Sequence, residues 1–169
     1  MFVFIRAITY ALVFVSVVLV FLPARVLFWS GVTQPAAMGW PQIAGIAVCA
    51  LGAAVALWCV LCFVWIGKGT PAPFDPSRRL VVCGPYDYVR NPMYIGAAVA
   101  VAGAALYFES VALLVFVAAF LGMAHLFVTL YEEPTLRRMF GADYESYYRR
   151  VHRWLPGRAA AAHPHPVNR

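Results

Sequence analysis

The sequence predicts an all-α polytopic membrane protein with about four transmembrane helices. Of its 169 residues, 63% are hydrophobic and only 12% are charged, whereas soluble domains are about 25% charged and roughly 45–50% apolar. The apolar residues also lie in runs long enough to cross a bilayer, which takes about 20 residues. Together these observations exclude a disordered chain, a secreted disulfide scaffold and an ordinary soluble enzyme.

The first predicted crossing covers residues 7–24, which contain no charge and are rich in Val, Leu and Phe. A signal peptide is the alternative, but the run exceeds the about 7–15 residues of a signal-peptide core and no A-x-A-like site follows it. The second crossing, residues 43–66, follows a polar segment, 30–42, whose prolines favour a loop outside the hydrocarbon.

The third and fourth crossings are predicted to form a helical hairpin. Between Arg90 and Glu132 the only formally charged residue is Glu109, near the middle of a long apolar stretch. A charge at the bilayer centre costs on the order of 3 kcal/mol. We therefore place Glu109 in an interfacial turn between residues 92–108 and 110–131.

The basic residues predict that both termini are cytoplasmic. Twelve of the 13 Lys and Arg residues fall on one side of the predicted topology, and only Arg25 lies on the other. Topology and anionic lipid headgroups then explain the net charge of +6, so membrane lipids are expected partners and nucleic acid is not. The expected location is the cell or inner membrane, as a multi-pass protein.

After the fourth crossing, aromatic and aliphatic residues recur at near-helical spacing among arginines and acids, which predicts short amphipathic helices at the membrane interface. Gly141 is expected to break this segment into two helices, with Asp143 near the start of the second. We assign residues 1–156 to a single domain. The Ala-, His- and Pro-rich residues 157–169 are expected to be disordered.

The four cysteines fit no disulfide framework, since three lie in one apolar run and Cys83 stands alone in a loop. Cys59-x-x-Cys62 resembles half of a zinc site, but no second pair or suitable histidines accompany it. Buried thiols are the favoured interpretation, and no metal site is predicted. The oligomeric state stays open. Small residues on the second and third crossings permit helix association, and they are Gly45, Cys49, Ala53, Gly96 and Ala100.

Two polar clusters flank the predicted hairpin on one side. Residues 84–96 place an Arg, an Asn and three Tyr at the mouth of the third crossing, where Pro92 suits the first helical turn and leaves backbone amides free for an anion. Glu132-Glu133-Pro134 lies where the fourth crossing ends, and its adjacent carboxylates need partners such as Arg90. An interfacial aromatic belt and a solvated helix end are the structural alternatives.

His125 lies seven residues before Glu132, on the same face of the fourth crossing. A polar residue within a membrane helix is a functional candidate, and a histidine capped by a neighbouring carbonyl is the structural alternative. The chain has no G-x-G-x-x-G between a strand and a helix, no P-loop and no G-x-S-x-G elbow. Any cofactor must therefore be held between membrane helices and the cytoplasmic segments.

Four separated blocks resemble the isoprenylcysteine carboxyl methyltransferase and phospholipid methyltransferase superfamily. Within about residues 66–156 they are Gly84-Pro85-Tyr86-x-x-Val89-Arg90-Asn91-Pro92-x-Tyr94-x-Gly96, Glu132-Glu133-x-x-Leu136, Phe140-Gly141-x-x-Tyr144-x-x-Tyr147 and Val151-x-Arg153-x-x-Pro156. Asn91 stands where the prenylcysteine enzymes have His, which weakens a prenylcysteine acceptor but not methyl transfer.

The resemblance implies an integral-membrane enzyme that transfers a methyl group from S-adenosylmethionine to a lipidic or small hydrophobic acceptor. Its implied catalytic residues are Arg90, Glu132 and Arg153, with Arg153 directed to the acceptor headgroup. Its implied cofactor-binding residues are Gly84, Pro85, Tyr86, Val89, Asn91, Pro92, Tyr94, His125, Glu132 and Glu133. In this scheme the carboxylates bind the cofactor's amine or ribose, arginine binds its carboxylate, and tyrosine faces lie near the adenine or sulfonium.

Two other functions stay open at this point. Membrane sterol reductases share Gly-Pro-Tyr, Arg-x-Pro and Tyr-x-Gly elements and use a nicotinamide cofactor, although they usually have more than four helices. The other alternative is a non-catalytic membrane scaffold that retains the pocket. The sequence does not specify the methyl acceptor.

Overall fold

The computed structural model describes residues 9, 12–13, 15–35, 37–63, 65 and 80–156. This part of the chain is mainly helical, and Val89 and His152 form an isolated parallel β-bridge. The helices are α1 (Val15–Ser30), α2 (Trp40–Cys62), α3 (Pro92–Tyr107), α4 (Val111–Phe127) and α5 (Glu133–Arg150). Residues 66–79, the tail 157–169 and most of the start of the first predicted crossing lie outside the described residues.

Helix α1 extends beyond residue 24, where the first predicted crossing ends. It reaches Ser30, and the backbone N–H of Gly31 caps it by donating to the carbonyls of Leu27 and Phe28. Arg25 therefore lies inside the helix, with its guanidinium carbon 4.8 Å from the centre of the Trp29 ring. A long basic side chain at a helix end can reach the interface and stack on an aromatic ring, so the charge does not end the helix.

Helices α2 and α3 run antiparallel with their backbones in close approach. A Cβ atom at Gly45 would lie 2.6 Å from the backbone nitrogen of Tyr107, and one at Gly96 would lie 2.9 Å from that of Ala56. Only glycine permits this spacing, and close approach of small residues is a main source of helix association in membranes. The small-residue faces noted in the sequence therefore pack against each other within the chain.

The predicted hairpin turn at Glu109 is confirmed. Helix α3 ends at Tyr107, and Glu109 adopts a φ of 50° before Ser110 caps α4 by accepting from the Leu113 amide. Gln42, at the start of α2, ties this turn to the neighbouring helix. Its Nε2 donates to Tyr107 O at 3.1 Å and to Glu109 Oε1 at 2.9 Å.

Within the described residues, two helices are long and apolar enough to cross a membrane: α2 and the helix that begins at Val111. In the most apolar window of each, only 17% of the residues are buried, so they are not core helices of a soluble protein. Trp40 is 84% exposed and Leu130 is 73% exposed, and exposed apolar surface of this kind indicates a membrane or partner contact. Helices α1 and α3 are apolar but shorter, and four crossings with cytoplasmic termini stay a prediction.

The fourth crossing is predicted to end at Glu132-Glu133-Pro134, but the helix itself does not end there. It passes through a π-helical turn, Val128–Glu132, directly into α5. A wider turn accommodates the ring and missing N–H of Pro134, and the Thr135 hydroxyl donates to Tyr131 O at 2.7 Å. The predicted break at Gly141 is confirmed, since its φ of 50° and ψ of −121° interrupt α5.

The expectation that the cysteines form no disulfide is wrong for one pair. Cys62, at the end of α2, is bonded to Cys83, just before the Gly84–Asp87 turn, across a Cα separation of 6.5 Å. The two residues are 21 positions apart, and no spacing rule in the sequence points to their pairing. Cys59 is buried as a free thiol, as expected.

Candidate active site

The first of the four motif blocks begins with a short 3-10 turn, Gly84–Asp87, and residues 88–91 connect this turn to α3. Segment 151–154 lies alongside it, because the Arg90 amide donates to His152 O at 2.9 Å. The Tyr147 hydroxyl, from α5, donates to Tyr86 O at 2.8 Å. The C-terminal helix thus holds the turn in place over the open end of the hairpin.

Glu133 lies between two arginines that are far apart in the sequence. Arg153 binds it as a fork, with Nε 2.8 Å from Oε1 and an Nη atom 2.9 Å from Oε2. Arg90 Nη1 lies 3.3 Å from the same Oε1. The Arg90 and Glu133 side chains are only 8% and 7% exposed. The predicted contact between Arg90 and the Glu-Glu pair is therefore present, and the Glu133 hydrogen bond raises the pKa of Arg153.

The Arg90 guanidinium is buried without a full set of acceptors. Among the residues that the structure describes, its Nε and Nη1 atoms have no hydrogen-bond partner, so the 3.3 Å approach to Glu133 is an ionic contact without hydrogen-bond geometry. One face of the group lies over the Tyr148 ring, 3.9 Å from its centre. Buried donors are nearly always satisfied in native proteins, and two guanidinium groups here share one carboxylate. The site therefore suits an additional anionic ligand.

Glu132 lies just past the end of the apolar run, beside this ion-pair cluster. Burial raises the pKa of Glu132 to about 7; the Tyr94 hydrogen bond lowers it, and the charge of Glu133 raises it further. The Tyr94 hydroxyl donates to Oε2 at 3.3 Å. Among the described residues, Glu132 is a partly buried carboxylate with no basic partner. Such a group favours a cationic ligand, because the ligand stabilises the charged form.

An aromatic pair links the polar cluster to helix α4. The indole N–H of Trp154 donates to Nδ1 of His125 at 3.0 Å. The Trp154 ring also contacts the Tyr94 ring edge-on, with their centres 6.5 Å apart. His125, Trp154, Tyr94 and Glu132 therefore form one continuous chain of contacts.

An apolar groove of about 540 Å³ lies between α3 and α4, and this chain of contacts forms one end of it. Its walls are almost entirely aliphatic. The lining residues are Ile95, Ala98, Val99 and Ala102 from α3, Val117, Leu121, Gly122 and His125 from α4, and Trp154 from the C-terminal segment.

The family model for phospholipid methyltransferases matches residues 40–143, more than half of the chain. The chain belongs to the phospholipid methyltransferase family. The membership that the sequence motifs predicted is thereby confirmed, and the match begins earlier than the motifs do, at the start of α2. No curated protein and no solved structure matches the chain.

The phospholipid methyltransferase fold brings five of the predicted site residues together: Arg90, Tyr94, Glu132, Glu133 and Arg153. Other predicted residues have packing contacts. Tyr86 is buried, with its ring edge-on to Phe63 at 5.5 Å, and Val89 forms the bridge to His152. The Asn91 amide donates to Arg153 O at 3.2 Å, so it supports the segment that carries Arg153. Gly84 and Pro85 lie in the 3-10 turn, and Pro92 starts α3.

The predicted site residues did not include three aromatic residues that lie at the site, although one of them, Tyr147, stands in a motif block. Tyr148 stacks on Arg90, Tyr147 holds the Gly84–Asp87 turn, and Trp154 contacts His125. All three belong to the aromatic pattern that predicted amphipathic helices. That pattern shows which residues share a face, but not which of them lie on a charged group.

Proposed function

We propose that this protein is an S-adenosylmethionine-dependent methyltransferase that acts on a lipidic or small hydrophobic acceptor. The observation that carries the proposal is Arg90, a buried guanidinium with two nitrogens that have no hydrogen-bond partner among the described residues, within a family of methyltransferases. Family membership also favours methyl transfer over the nicotinamide-dependent reduction that the sequence motifs left open.

The charged groups of the site fit the two ends of the cofactor's amino acid moiety. The unpartnered Nε and Nη1 of Arg90 are donors suited to a carboxylate, since arginine binds carboxylates in a planar fork. Glu132 is an acceptor suited to the α-ammonium group. Its pKa of about 7 means that a nearby cation would hold it in the charged form. S-adenosylmethionine supplies an electrophilic methyl group when bound.

The remaining residues hold these two groups in position. The Arg153 fork occupies both oxygens of Glu133, which fixes the carboxylate that faces Arg90. Tyr148 supports the guanidinium from one side, and Tyr94 orients Glu132. Correct positioning alone can supply roughly 7–11 kcal/mol of a barrier, so a site built chiefly for orientation suits a direct displacement.

The two substrates have opposite polarity, and the site has a polar and an apolar side to match. The ion-pair cluster joins Arg90, before α3, to Glu133 and Arg153. We propose that it lies outside the membrane on the cytoplasmic side, where a soluble cofactor has access. The apolar groove opens between two helices of the hairpin, where a lipid has access. Asn91 is occupied by Arg153 O, so we propose that its substitution for His affects the acceptor through the Arg153 segment.

Calorimetry of the detergent-solubilised protein with S-adenosylhomocysteine tests the cofactor site. We expect binding by the wild type that weakens about tenfold or more in Arg90→Lys and Glu132→Gln, since a charged hydrogen bond contributes about 1.5–3 kcal/mol. Arg149→Ala, at an exposed position of α5, is the matched control and keeps wild-type affinity. A folded wild-type protein that does not bind would overturn the proposal.

A further inference from the structure

Three of the four cysteines lie in one buried cluster where α2 ends. Cys62, the last residue of α2, is bonded to Cys83, while Cys59, one helical turn earlier, is a fully buried free thiol. Tyr86 completes the cluster and shares a side-chain hydrogen bond with Cys59. The cluster therefore joins α2 directly to the 3-10 turn that precedes Arg90.

The 3-10 turn is attached to the rest of the protein on two sides. On the α2 side, the disulfide holds Cys83, the residue before the turn, and Gly84 lies against Trp58, since a Cβ at Gly84 would be 2.8 Å from the indole nitrogen. On the α5 side, the Tyr147 hydroxyl donates to Tyr86 O. Because the disulfide is the one covalent link of these contacts, its cleavage leaves the turn more weakly attached.

The position of Arg90 depends on this turn. Only residues 88 and 89 separate the two, and the Arg90 amide is held by His152 O at 2.9 Å. Among the described residues, two nitrogens of the guanidinium have no hydrogen-bond partner, so the side chain is not fixed by a full set of hydrogen bonds. Its placement therefore relies on the backbone before it, which the disulfide holds at Cys83.

The disulfide lies at the end of the helices that we predict to face the cytoplasm. Helix α2 ends at Cys62 and the antiparallel α3 begins at Pro92, so both reach the motif end of the hairpin. Disulfides are rare in the reducing cytoplasm, and those that form there are usually transient and catalytic or redox-sensing. Cys83 is half-buried and Cys62 is only 5% exposed, so a soluble thiol has better access to Cys83.

We propose that the Cys62–Cys83 bond is a redox-controlled anchor of the 3-10 turn. The oxidised pair holds Arg90 in the position that binds the cofactor, and reduction by a soluble monothiol such as glutathione releases the turn and lowers cofactor affinity. The effect on affinity rests on the proposed function, whereas the release of the turn does not.

Reduction takes two equivalents of the monothiol. The first thiolate attacks Sγ of Cys83, the disulfide breaks, and its electron pair leaves with Sγ of Cys62, which takes up a proton. A second thiolate attacks the glutathione sulfur of the mixed disulfide and releases Cys83, which is protonated as well. The protein gains two electrons and two protons while glutathione is oxidised to its disulfide, and oxidation runs through the same steps in reverse.

Equilibration in buffers of graded reduced-to-oxidised glutathione ratio tests whether the bond is reversible. The full chain in detergent is quenched with acid, unfolded and alkylated with iodoacetamide, and mass spectrometry locates the labelled cysteines. We expect Cys62 and Cys83 to become labelled together as the reduced fraction rises, with any glutathione adduct on Cys83. A bond that survives in reduced glutathione alone is a permanent structural bond and contradicts the proposal, and an adduct on Cys62 contradicts the assigned point of attack.

Amide hydrogen exchange measures the release of the turn without any cofactor. We expect the amides of residues 84–91 to exchange about tenfold faster after reduction, since exchange reports local opening, while the Glu109 turn at the other end of the hairpin stays unchanged. A Cys62→Ala/Cys83→Ala variant should exchange like the reduced wild type in both buffers. Cys49→Ala, which removes a free thiol of α2, is the matched control and should respond to reduction as the wild type does. Equal exchange in oxidised and reduced wild type overturns the proposal.

Calorimetry with S-adenosylhomocysteine then compares the two redox states of the same wild-type chain. We expect about tenfold weaker binding after reduction, or about 1.4 kcal/mol, and full recovery after reoxidation with oxidised glutathione. If neither state binds but exchange responds to reduction, the methyltransferase proposal fails and the anchor stands. If both states bind equally while exchange differs, the bond anchors the turn but does not control the cofactor site, which contradicts the redox control proposed here.

Discussion

The two ends of the α3–α4 hairpin both contain buried polar groups, but the hydrogen bonding of these groups differs between the ends. At the turn end, Gln42 is 3% exposed and has three partners: its Nε2 donates to Tyr107 O and Glu109, and its Oε1 accepts from the Gly39 amide. At the motif end, Arg90 is buried with two nitrogens that have no hydrogen-bond partner.

This difference separates a structural polar cluster from a binding site. A satisfied amide such as Gln42 stabilises a fold and has no capacity for a ligand. An arginine whose donors are incompletely satisfied and a carboxylate with a raised pKa both cost stability in the free protein and gain it when ligands of opposite charge bind. The polar cluster at the turn end therefore stabilises the hairpin. The rigid hairpin in turn supports the binding site at the motif end.

The largest expected effect comes from Glu133→Ala, which leaves Arg90 and Arg153 without their shared carboxylate. Breaking a buried ion pair costs about 3–5 kcal/mol, so this variant should lose most of its stability in denaturant titrations in detergent. The control is Glu145→Ala, which breaks the exposed pair with Arg137; such pairs contribute about 0–1 kcal/mol. Similar losses in both variants would refute a buried network at the motif end.

Gln42→Leu tests the turn end and should lower stability by about 1–3 kcal/mol, the cost of leaving buried polar partners unsatisfied. Its effect on the motif end should be nil. The folded variant is expected to bind S-adenosylhomocysteine with wild-type affinity in calorimetry. A large loss of affinity would mean that the two ends are not independent, which contradicts the comparison.

The pH dependence of cofactor-analogue binding sharpens the assignment of Glu132. Because burial raises its pKa from 4.5 to about 7, Glu132 is largely neutral at pH 6 and charged at pH 8. Affinity for an ammonium-bearing ligand should therefore rise about tenfold over that interval, in proportion to the charged fraction. Glu132→Gln should show a flat profile, and a wild-type profile that is equally flat contradicts the role.

The same shift has a definite sign for stability. The folded protein binds the Glu132 proton more tightly than the unfolded chain does, so this residue lowers the stability of the ligand-free protein as the pH rises from 4.5 to 7. Above that range its contribution is constant. Thermal unfolding of the wild type and Glu132→Gln across the interval measures the effect by difference.

The smallest effect is expected for Tyr147→Phe, which removes the hydrogen bond to Tyr86 O but keeps the ring. Its loss should cost about 0.5–1.5 kcal/mol and loosen the Gly84–Asp87 turn. Calorimetry should show a modest loss of S-adenosylhomocysteine affinity. Tyr88→Phe, on an exposed residue of the same segment, is the control and should change neither stability nor affinity.

Features that depend on local chemistry could be predicted from the sequence. The single charge in the long apolar stretch predicted the hairpin turn at Glu109. The glycine between two aromatic stretches predicted the helix break at Gly141. The motif residues also met as expected, because a hairpin necessarily returns Glu133 to the neighbourhood of Arg90.

Features that depend on tertiary contacts could not be predicted. The helix passes through Pro134 by way of the π-helical turn Val128–Glu132 that precedes it. The Cys62–Cys83 bond joins residues that are 21 positions apart, and no spacing rule predicts that they pair. The contact of Trp154 with His125 joins α4 to a segment beyond α5, and one sequence alone contains no information on such a pairing.

Transfer of a radiolabelled methyl group from S-adenosylmethionine to a total lipid extract tests the central claim most directly. The measurement compares the wild type with Arg90→Lys and with Gln42→Leu, one variant for each end of the hairpin. The account predicts a labelled lipid with the wild type and with folded Gln42→Leu, and strongly reduced label with Arg90→Lys. No labelled lipid from wild-type protein that binds S-adenosylhomocysteine, or equal label with both variants, would contradict it.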